Sequence, residues 1–386
     1  MGEKIYTCPR CGNKDPRYIG IRNGQPYCRR CIMFRGKEAD PSFSPKGGIS
    51  LTLSYPLSKK QEEISRRTKE LLLSGHNVFL NAVTGAGKTE LVYASMEAYL
   101  KLGKRVGFAT PRKDVVVDLK PRIEEAFPSA RVVAVYGEHN TLLEGDILVL
   151  TTHQLFRYVC YFDLLIVDEI DAFPYRGDEV LHAFFKRSLR GQYVLLSATP
   201  DKEDLNAIKK DSGVVLSLSE RYHGGDLPLP VFCPASYYPS FFLCAHHLRR
   251  FKKENFPVFI FVPTIEIGRK LFSFLRLLFR GGSFVSSKES LRRVDIEKFK
   301  KGEFQYLVTT SILERGVTVR NLQVIVFSAD HDLYTSSTLI QIAGRVGRKV
   351  GATKGEVLFI GEVKTTSIDT TIQTIDRTNR RKNNGE

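Results

Sequence analysis

Four cysteines, a glycine-rich loop, two neighbouring carboxylates and a pair of arginines have the types and spacing that chemistry requires. Cys8-x2-Cys11 and Cys28-x2-Cys31 are sixteen residues apart. Two short knuckles presenting four thiolates at that spacing match a structural zinc site, and the arginines in the knuckles offset the thiolate charge. Further on, Ala82-Val83-Thr84-Gly85-Ala86-Gly87-Lys88-Thr89 ends in Gly-Lys-Thr. Between a strand and a helix, such a loop turns its backbone N–H groups on phosphate oxygens, with Lys88 reaching the β- and γ-phosphates and Thr89 holding magnesium. The usual pattern starts with glycine; here Ala82 stands first. Asp168 and Glu169 follow the apolar run Leu164–Val167, which puts both at the carboxyl end of a predicted parallel strand, where such sheets bind ligands. There Asp168 is expected to hold magnesium, and Glu169 to orient and deprotonate an attacking water. Gln341-Ile342-Ala343-Gly344-Arg345-Val346-Gly347-Arg348 sets two guanidinium groups three residues apart, hence on one face of a predicted helix. They suit the negative charge that spreads over a γ-phosphate during phosphoryl transfer. The cofactors implied are ATP, Mg2+ and Zn2+.

These groups need elements to hold them. Val78-Phe79-Leu80-Asn81 predicts a buried strand feeding the loop, and a helical run covers 90–102. Between the cysteine pairs, Tyr18, Ile19, Ile21 and Tyr27 alternate with Arg17, Arg22 and Asn23-Gly24, which predicts a hairpin turning at Asn-Gly. Its basic and aromatic side chains either touch nucleic acid or only complete a structural knob. Residues 39–54, rich in Pro, Gly and Ser, predict a linker, and 226–230 a Pro-rich joint. A second alternating α/β pattern then begins with a strand at 257–262, a helix at 265–279 capped by Thr264, and a strand at 306–310. The expected domains are a zinc module at 1–38, a linker at 39–54, an ATP-binding lobe at 55–225 and a second lobe at 226–386. Cys160, Cys233 and Cys244 have no partner spacing and are expected to pack in apolar surroundings.

The formal charge of +16 over 386 residues points to a polyanion, either nucleic acid or an anionic membrane surface. Half of it sits in the first 60 residues, with 12 Lys/Arg against 4 Asp/Glu. No apolar run reaches the roughly 18–20 residues that span a bilayer, and the polar start lacks a signal-peptide core. A cytoplasmic protein with reduced cysteines is expected.

Asp168-Glu169-Ile170-Asp171 resembles the DEAD/DEAH-box signature of superfamily 2 helicases, and the rest of that set follows in order. The resemblance implies an α/β fold of two tandem RecA-like parallel-sheet lobes, the superfamily 2 helicase core, here preceded by a small four-cysteine zinc-binding module. It also implies roles. Gln61 would read the adenine edge. Arg112, in Ala-Thr-Pro-Arg, and Thr151 and Thr152, in Thr-Thr-His-Gln-Leu, would grip a nucleic-acid backbone. Ser197-Ala198-Thr199-Pro200 would couple hydrolysis to lobe movement, and Thr264 would contact phosphate. Thr309, Thr310 and the loop 311–316, ending in Gly316, would face both nucleotide and nucleic acid. Gln341, Arg345 and Arg348 match Q-x-x-G-R-x-G-R and would come from the second lobe, so that hydrolysis requires closure.

As a whole, the chain resembles the ComFA-type late-competence ATPases of naturally transformable Gram-positive bacteria. The zinc position, Thr-Thr-His-Gln-Leu, the continuation Ala172-Phe173-Pro174-Tyr175 and Thr-Thr-Ser-Ile-Leu-Glu-Arg-Gly-Val-Thr carry that likeness. It implies a motor that pulls single-stranded DNA into the cytoplasm during transformation, from the cytoplasm or the inner face of the membrane. The implied partners are the membrane DNA channel, a phosphoribosyltransferase-like competence protein and single-strand-handling factors; self-association stays open. Phe173 and Tyr175 either stack on bases or fill the groove between lobes. Lys113 and the Arg292-Arg293 pair join Arg112 as candidate phosphate contacts. The alternatives are a PriA-like replication-restart helicase, whose second-lobe cysteines and extra N-terminal region this chain lacks, an RNA helicase, and a zinc-containing nucleic-acid adaptor with a vestigial ATPase. Whether the apolar residues between Ile368 and Ile375 pack at home or on a partner is open.

Overall fold

A computed structural model describes residues 6–171, 175, 177–198, 202–222, 225–286, 292–310, 319–347 and 355–383. They form two compact units: Met1–Ala82 with Lys88–Leu218, and Val83–Gly87 with Ser219–Glu386.

In the first unit, β1 (Ile19–Arg22) and β2 (Gln25–Cys28) form an antiparallel hairpin with Arg22 opposite Gln25. Asn23 and Gly24 turn it at φ +50° and +73°, the left-handed pair that Asn-Gly adopts most readily. The cysteine module is docked rather than tethered. Phe34 meets Phe184 edge-on at 4.9 Å and lies beside His153 and Phe156 at 6.2 and 6.0 Å. The Arg10 guanidinium sits 5.4 Å from the Phe156 centroid and donates to the Phe34 carbonyl. Arg30 pairs with exposed Glu179 at 2.7 Å, a contact worth at most about 1 kcal/mol in water. Each aromatic pair contributes about 0.5–1.5 kcal/mol beyond area burial, so the Phe34 cluster does most of the docking.

Residues 39–54 lie along the unit as a strap. The Ala39 N–H donates to the Arg157 carbonyl at 2.9 Å and the Thr52 N–H to the Ala126 carbonyl at 2.8 Å. Arg105 donates to the Phe43 and Pro41 carbonyls, the Lys46 N–H to Asp146 at 2.7 Å, and Ile49 is buried.

Helix α1 (Lys59–Leu73) leads into a seven-stranded sheet whose pairings are all parallel. In chain order it holds β3 (Val78–Ala82), α2 (Lys88–Lys101), β4 (Val106–Thr110), α3 (Lys113–Ala126), β5 (Val132–Val135), β6 (Ile147–Thr151) and β7 (Phe162–Asp168). Then come α4 (Glu179–Ser188), β8 (Leu189–Ser197), α5 (Lys202–Lys210) and β9 (Val214–Leu218). The spatial order is β5-β6-β4-β7-β8-β3-β9. Strands β4 and β6 are buried throughout, as continuous apolar runs covered on both faces must be. Strand β7 lies at the middle of the sheet.

The second unit has a six-stranded sheet, again parallel in every pairing. Its elements are β10 (Val231–Pro234), α6 (Tyr237–Lys253), β11 (Val258–Phe261), α7 (Ile265–Leu278), β12 (Gly282–Val285), α8 (Arg292–Lys300), β13 (Tyr306–Thr309), β14 (Gln323–Phe327), α9 (Ser336–Ala343), β15 (Val357–Gly361) and α10 (Thr366–Asn383). The order is β10-β15-β14-β11-β13-β12. The C-terminal apolar residues pack at home: Ile368 and Ile375 of α10 are fully buried in the cluster that holds Leu339 and Ile342 of α9. Asn379 fastens α10 further, its side chain donating to and accepting from Leu227, both at 2.9 Å. No helix of the described residues is long and apolar enough to cross a membrane.

Candidate ATPase site and zinc centre

The loop after β3 is built on left-handed glycines. Gly85 and Gly87 stand at φ +88° and +74°, where a Cβ costs roughly 1–2 kcal/mol, and α2 begins at Lys88. The Thr84 hydroxyl is buried without a hydrogen-bond partner among the described residues. Within the second unit, the Tyr222 N–H donates to the Gly85 carbonyl at 3.1 Å. Gly344 lies so close to Thr84 that a Cβ on the glycine would come within 2.8 Å of the threonine Cβ.

Asp168 is the last residue of β7, and Glu169 follows it directly. The Glu169 N–H donates to Asp168 Oδ1 at 2.9 Å and to the Leu196 carbonyl of β8 at 3.1 Å. Glu169 is 1% exposed and holds φ +64°. Left-handed backbone at a non-glycine residue is uncommon and strained, and such strain clusters at functional sites. Nothing in the residue types announced it.

The arginine motif departs from expectation. Helix α9 stops at Ala343, where the Gly344 N–H bonds back to the Ile340 carbonyl. Arg345 therefore stands in a turn beyond the end of α9. The helix cannot continue through Gly347, which sits at φ +70°. Arg345 is buried, its guanidinium 5.8 Å from the Phe261 centroid; Gln341, on α9, is also buried. Arg348, Gly316 with the loop 311–316, Thr199, Pro200 and Phe173 lie outside the described residues, as do the side chains of Arg292 and Arg293.

Gln61 is buried as the third residue of a capping box: its Oε1 accepts from the Ser58 N–H at 2.9 Å, and Ser58 Oγ accepts from the Gln61 N–H at 3.3 Å. The Ser-x-x-Gln spacing signals that arrangement directly. Arg112, half-buried, is the N-cap residue before α3, and Lys113 lies 5.2 Å from the Tyr136 centroid. Thr151 and Thr152 join β6 to a 3-10 turn, Thr152–Arg157. The hydroxyls of Thr110, Thr152 and Thr309 are buried without hydrogen-bond partners among the described residues. Thr310 is half-buried after β13. Thr264 caps α7, accepting from the Ile267 N–H at 3.2 Å. Tyr175 is buried against His182 at 4.7 Å, so it packs in the core and has no face open to a base. Cys244 is buried as expected and Cys233 partly so, whereas Cys160 is exposed at φ +45°: the chain bends outward there before β7.

Arg221 sits in no motif of the sequence. It is 5% exposed, and burial alone pushes its guanidinium down to about 10. Its Nη2 donates to the Gly344 and Val346 carbonyls, both at 2.9 Å.

The four module cysteines converge. All four sulfurs lie within 4.8 Å of one another, with Cys8–Cys31 at 3.6 Å and Cys11–Cys28 at 3.7 Å. Tetrahedral thiolates around zinc, with bonds of about 2.3 Å, stand about 3.8 Å apart, so the set fits that ion. Burial pushes the Cys11 thiol up to about 11 and raises that of Cys31 as well, whereas at Cys8 burial is outweighed by hydrogen bonds from the Cys11 and Arg10 backbone and the thiol is lowered; a cation at the centre would offset the cost of charging the buried pair.

Residues 62–208 match the DEAD/DEAH box helicase model, and residues 242–350 the helicase conserved C-terminal domain; such helicase ATPase domains imply ATP and Mg2+. The chain is 33% identical to competence protein ComFA of Bacillus subtilis (strain 168), over 95% of this chain and 84% of that one. It is 32% identical to competence protein ComFA of Streptococcus pneumoniae (strain ATCC BAA-255 / R6), over 97% and 90%. Among solved structures it is similar in fold to S. cerevisiae Dbp5 bound to RNA and ADP BeF3, with a TM-score of 0.63 and 17% identity over 83% of this chain and 91% of that one. With a glycine-rich loop, paired carboxylates at a central strand end and a buried arginine turn falling in order inside both domain matches, the chain belongs to the ComFA family of DEAD/DEAH-type superfamily 2 helicases.

Proposed function

We propose that this chain is an ATP-driven translocase on single-stranded DNA that serves DNA uptake during natural transformation. The observation that carries the reading is its identity to competence proteins over nearly its whole length, together with a complete set of phosphoryl-transfer residue types. Lys88 and the N–H groups of 84–89 hold the β- and γ-phosphates, and Gln61 lies against the adenine. Thr89 and Asp168 would hold Mg2+, which supplies charge neutralisation on the phosphates when bound. Glu169 orients the attacking water and accepts its proton, and Gln341, Arg345 and Arg348 meet the charge of the transition state. Thr264 and the strand-end segments at Arg112, Thr151–Thr152 and Thr309–Thr310 grip the DNA backbone without regard to sequence. The partners are the membrane DNA channel and a phosphoribosyltransferase-like competence protein, met at the inner face of the membrane.

ATP turnover measured with single-stranded DNA, single-stranded RNA and duplex DNA tests the reading. Single-stranded DNA is expected to stimulate most, with affinity falling as salt rises by about 0.7 log units per decade for each phosphate neutralised. Preferential stimulation by RNA would favour the RNA-helicase alternative, and no stimulation the adaptor.

Cys8, Cys11, Cys28 and Cys31 would hold one Zn2+, which supplies a fixed tetrahedral crosslink when bound. Replacing Cys8 and Cys11 by Ala is expected to release about one zinc per chain and to lower the melting temperature, since Phe34 would lose its anchor beside Phe156 and Phe184. Full zinc retention in that variant, measured by metal analysis, contradicts the ligand set.

A further inference from the structure

Buried arginines are normally paired, because an uncompensated charge away from water is expensive. Arg221 is buried with no carboxylate against it among the described residues. Its bonds go to backbone carbonyls: Gly344 and Val346 through Nη2, and a long contact of 3.5 Å from Nη1 to Asp226. The carbonyls of Gly344 and Val346 flank Arg345. The other side of the guanidinium faces the glycine-rich loop, where a Cβ on Gly85 would stand 3.1 Å from Nε. The next residue, Tyr222, grips the same glycine through its carbonyl. A cation with no counter-charge among the described residues thus touches the phosphate loop and the turn that carries Arg345, all inside one compact unit.

We propose that Arg221 is a phosphate-binding residue of the nucleotide site, taking the β- or γ-phosphate of a nucleoside di- or triphosphate as its missing anion and coupling the loop to the Arg345 turn. A guanidinium has five N–H donors, and the bonds to Gly344 and Val346 leave Nε–H on the loop side. Gly85 lacks a side chain where one would separate the two. The inference rests on the nucleotide occupying this loop, as the proposed function holds. A purely structural alternative exists: an arginine can simply cap the last carbonyls of a helix.

Binding of AMP, ADP and ATP to Arg221→Gln and Arg221→Lys chains, read by nucleotide fluorescence titration, separates the two. Gln keeps amide donors for the carbonyls but loses the charge; Lys keeps the charge. The Gln variant is expected to lose about tenfold or more in affinity for ADP and ATP, the scale of a charged hydrogen bond, and less than about twofold for AMP. The Lys variant is expected to retain most of the wild-type preference for ADP over AMP. Wild-type discrimination in the Gln variant, or an equal loss for all three nucleotides, overturns the proposal. Lys88→Ala in the same titration keeps the outcomes apart: if it leaves ADP and ATP binding intact, the loop itself is misassigned; if it abolishes binding while Arg221→Gln resembles wild type, only the role of Arg221 fails.

Discussion

Glu169→Gln is expected to bind ATP and single-stranded DNA much as the wild type does, while turning over ATP at least about a hundredfold more slowly. A positioned general base contributes about 10²–10⁴ in rate, and Gln cannot accept the proton although it has nearly the same shape. The structure gives reasons to expect the upper part of that range. Glu169 is almost wholly shielded from solvent, is pinned by bonds from its N–H to Asp168 and Leu196, and holds a left-handed backbone that an ordinary strand end would not need. Lys88→Ala removes a phosphate contact and should weaken nucleotide binding too, so the pair of variants separates chemistry from capture. Steady-state turnover of Glu169→Gln within about tenfold of wild type would show that another group activates the water.

Arg345→Ala is expected to cost about a thousandfold or more in turnover at saturating ATP, the range found where a guanidinium stabilises phosphoryl-transfer charge. Arg345→Lys should recover little of it, because an ammonium cannot reproduce the planar fork. Arg345 is also buried over Phe261, so a thermal melt must accompany the rates. A lowered melting temperature with near-normal turnover in the surviving fraction would make Arg345 a packing residue instead.

Much of this was legible because it is local. The Gly-Lys-Thr loop, the carboxylates after an apolar run, the Asn-Gly hairpin and the paired cysteine knuckles each depend on a few neighbouring residues, and alternation of apolar runs with helical periods announces parallel sheets. What escaped depends on long-range packing. Tyr175 follows the acidic motif like a base-stacking residue, yet it faces His182 on α4. The helical face expected for Arg345 and Arg348 ended at Gly344, whose backbone turns against Thr84. Residues 39–54 have linker composition but are held by Arg105 and Asp146, which are distant in the chain. Arg221 carries no spacing signal at all, because its partners lie 123 and 125 residues away.

If ATP hydrolysis drives movement along a single strand, the ATP consumed per binding event on single-stranded DNA of increasing length reports it, with excess competitor strand to prevent rebinding. A translocase consumes ATP in proportion to the length it traverses. Consumption independent of length would show that the strand merely switches a stationary ATPase on.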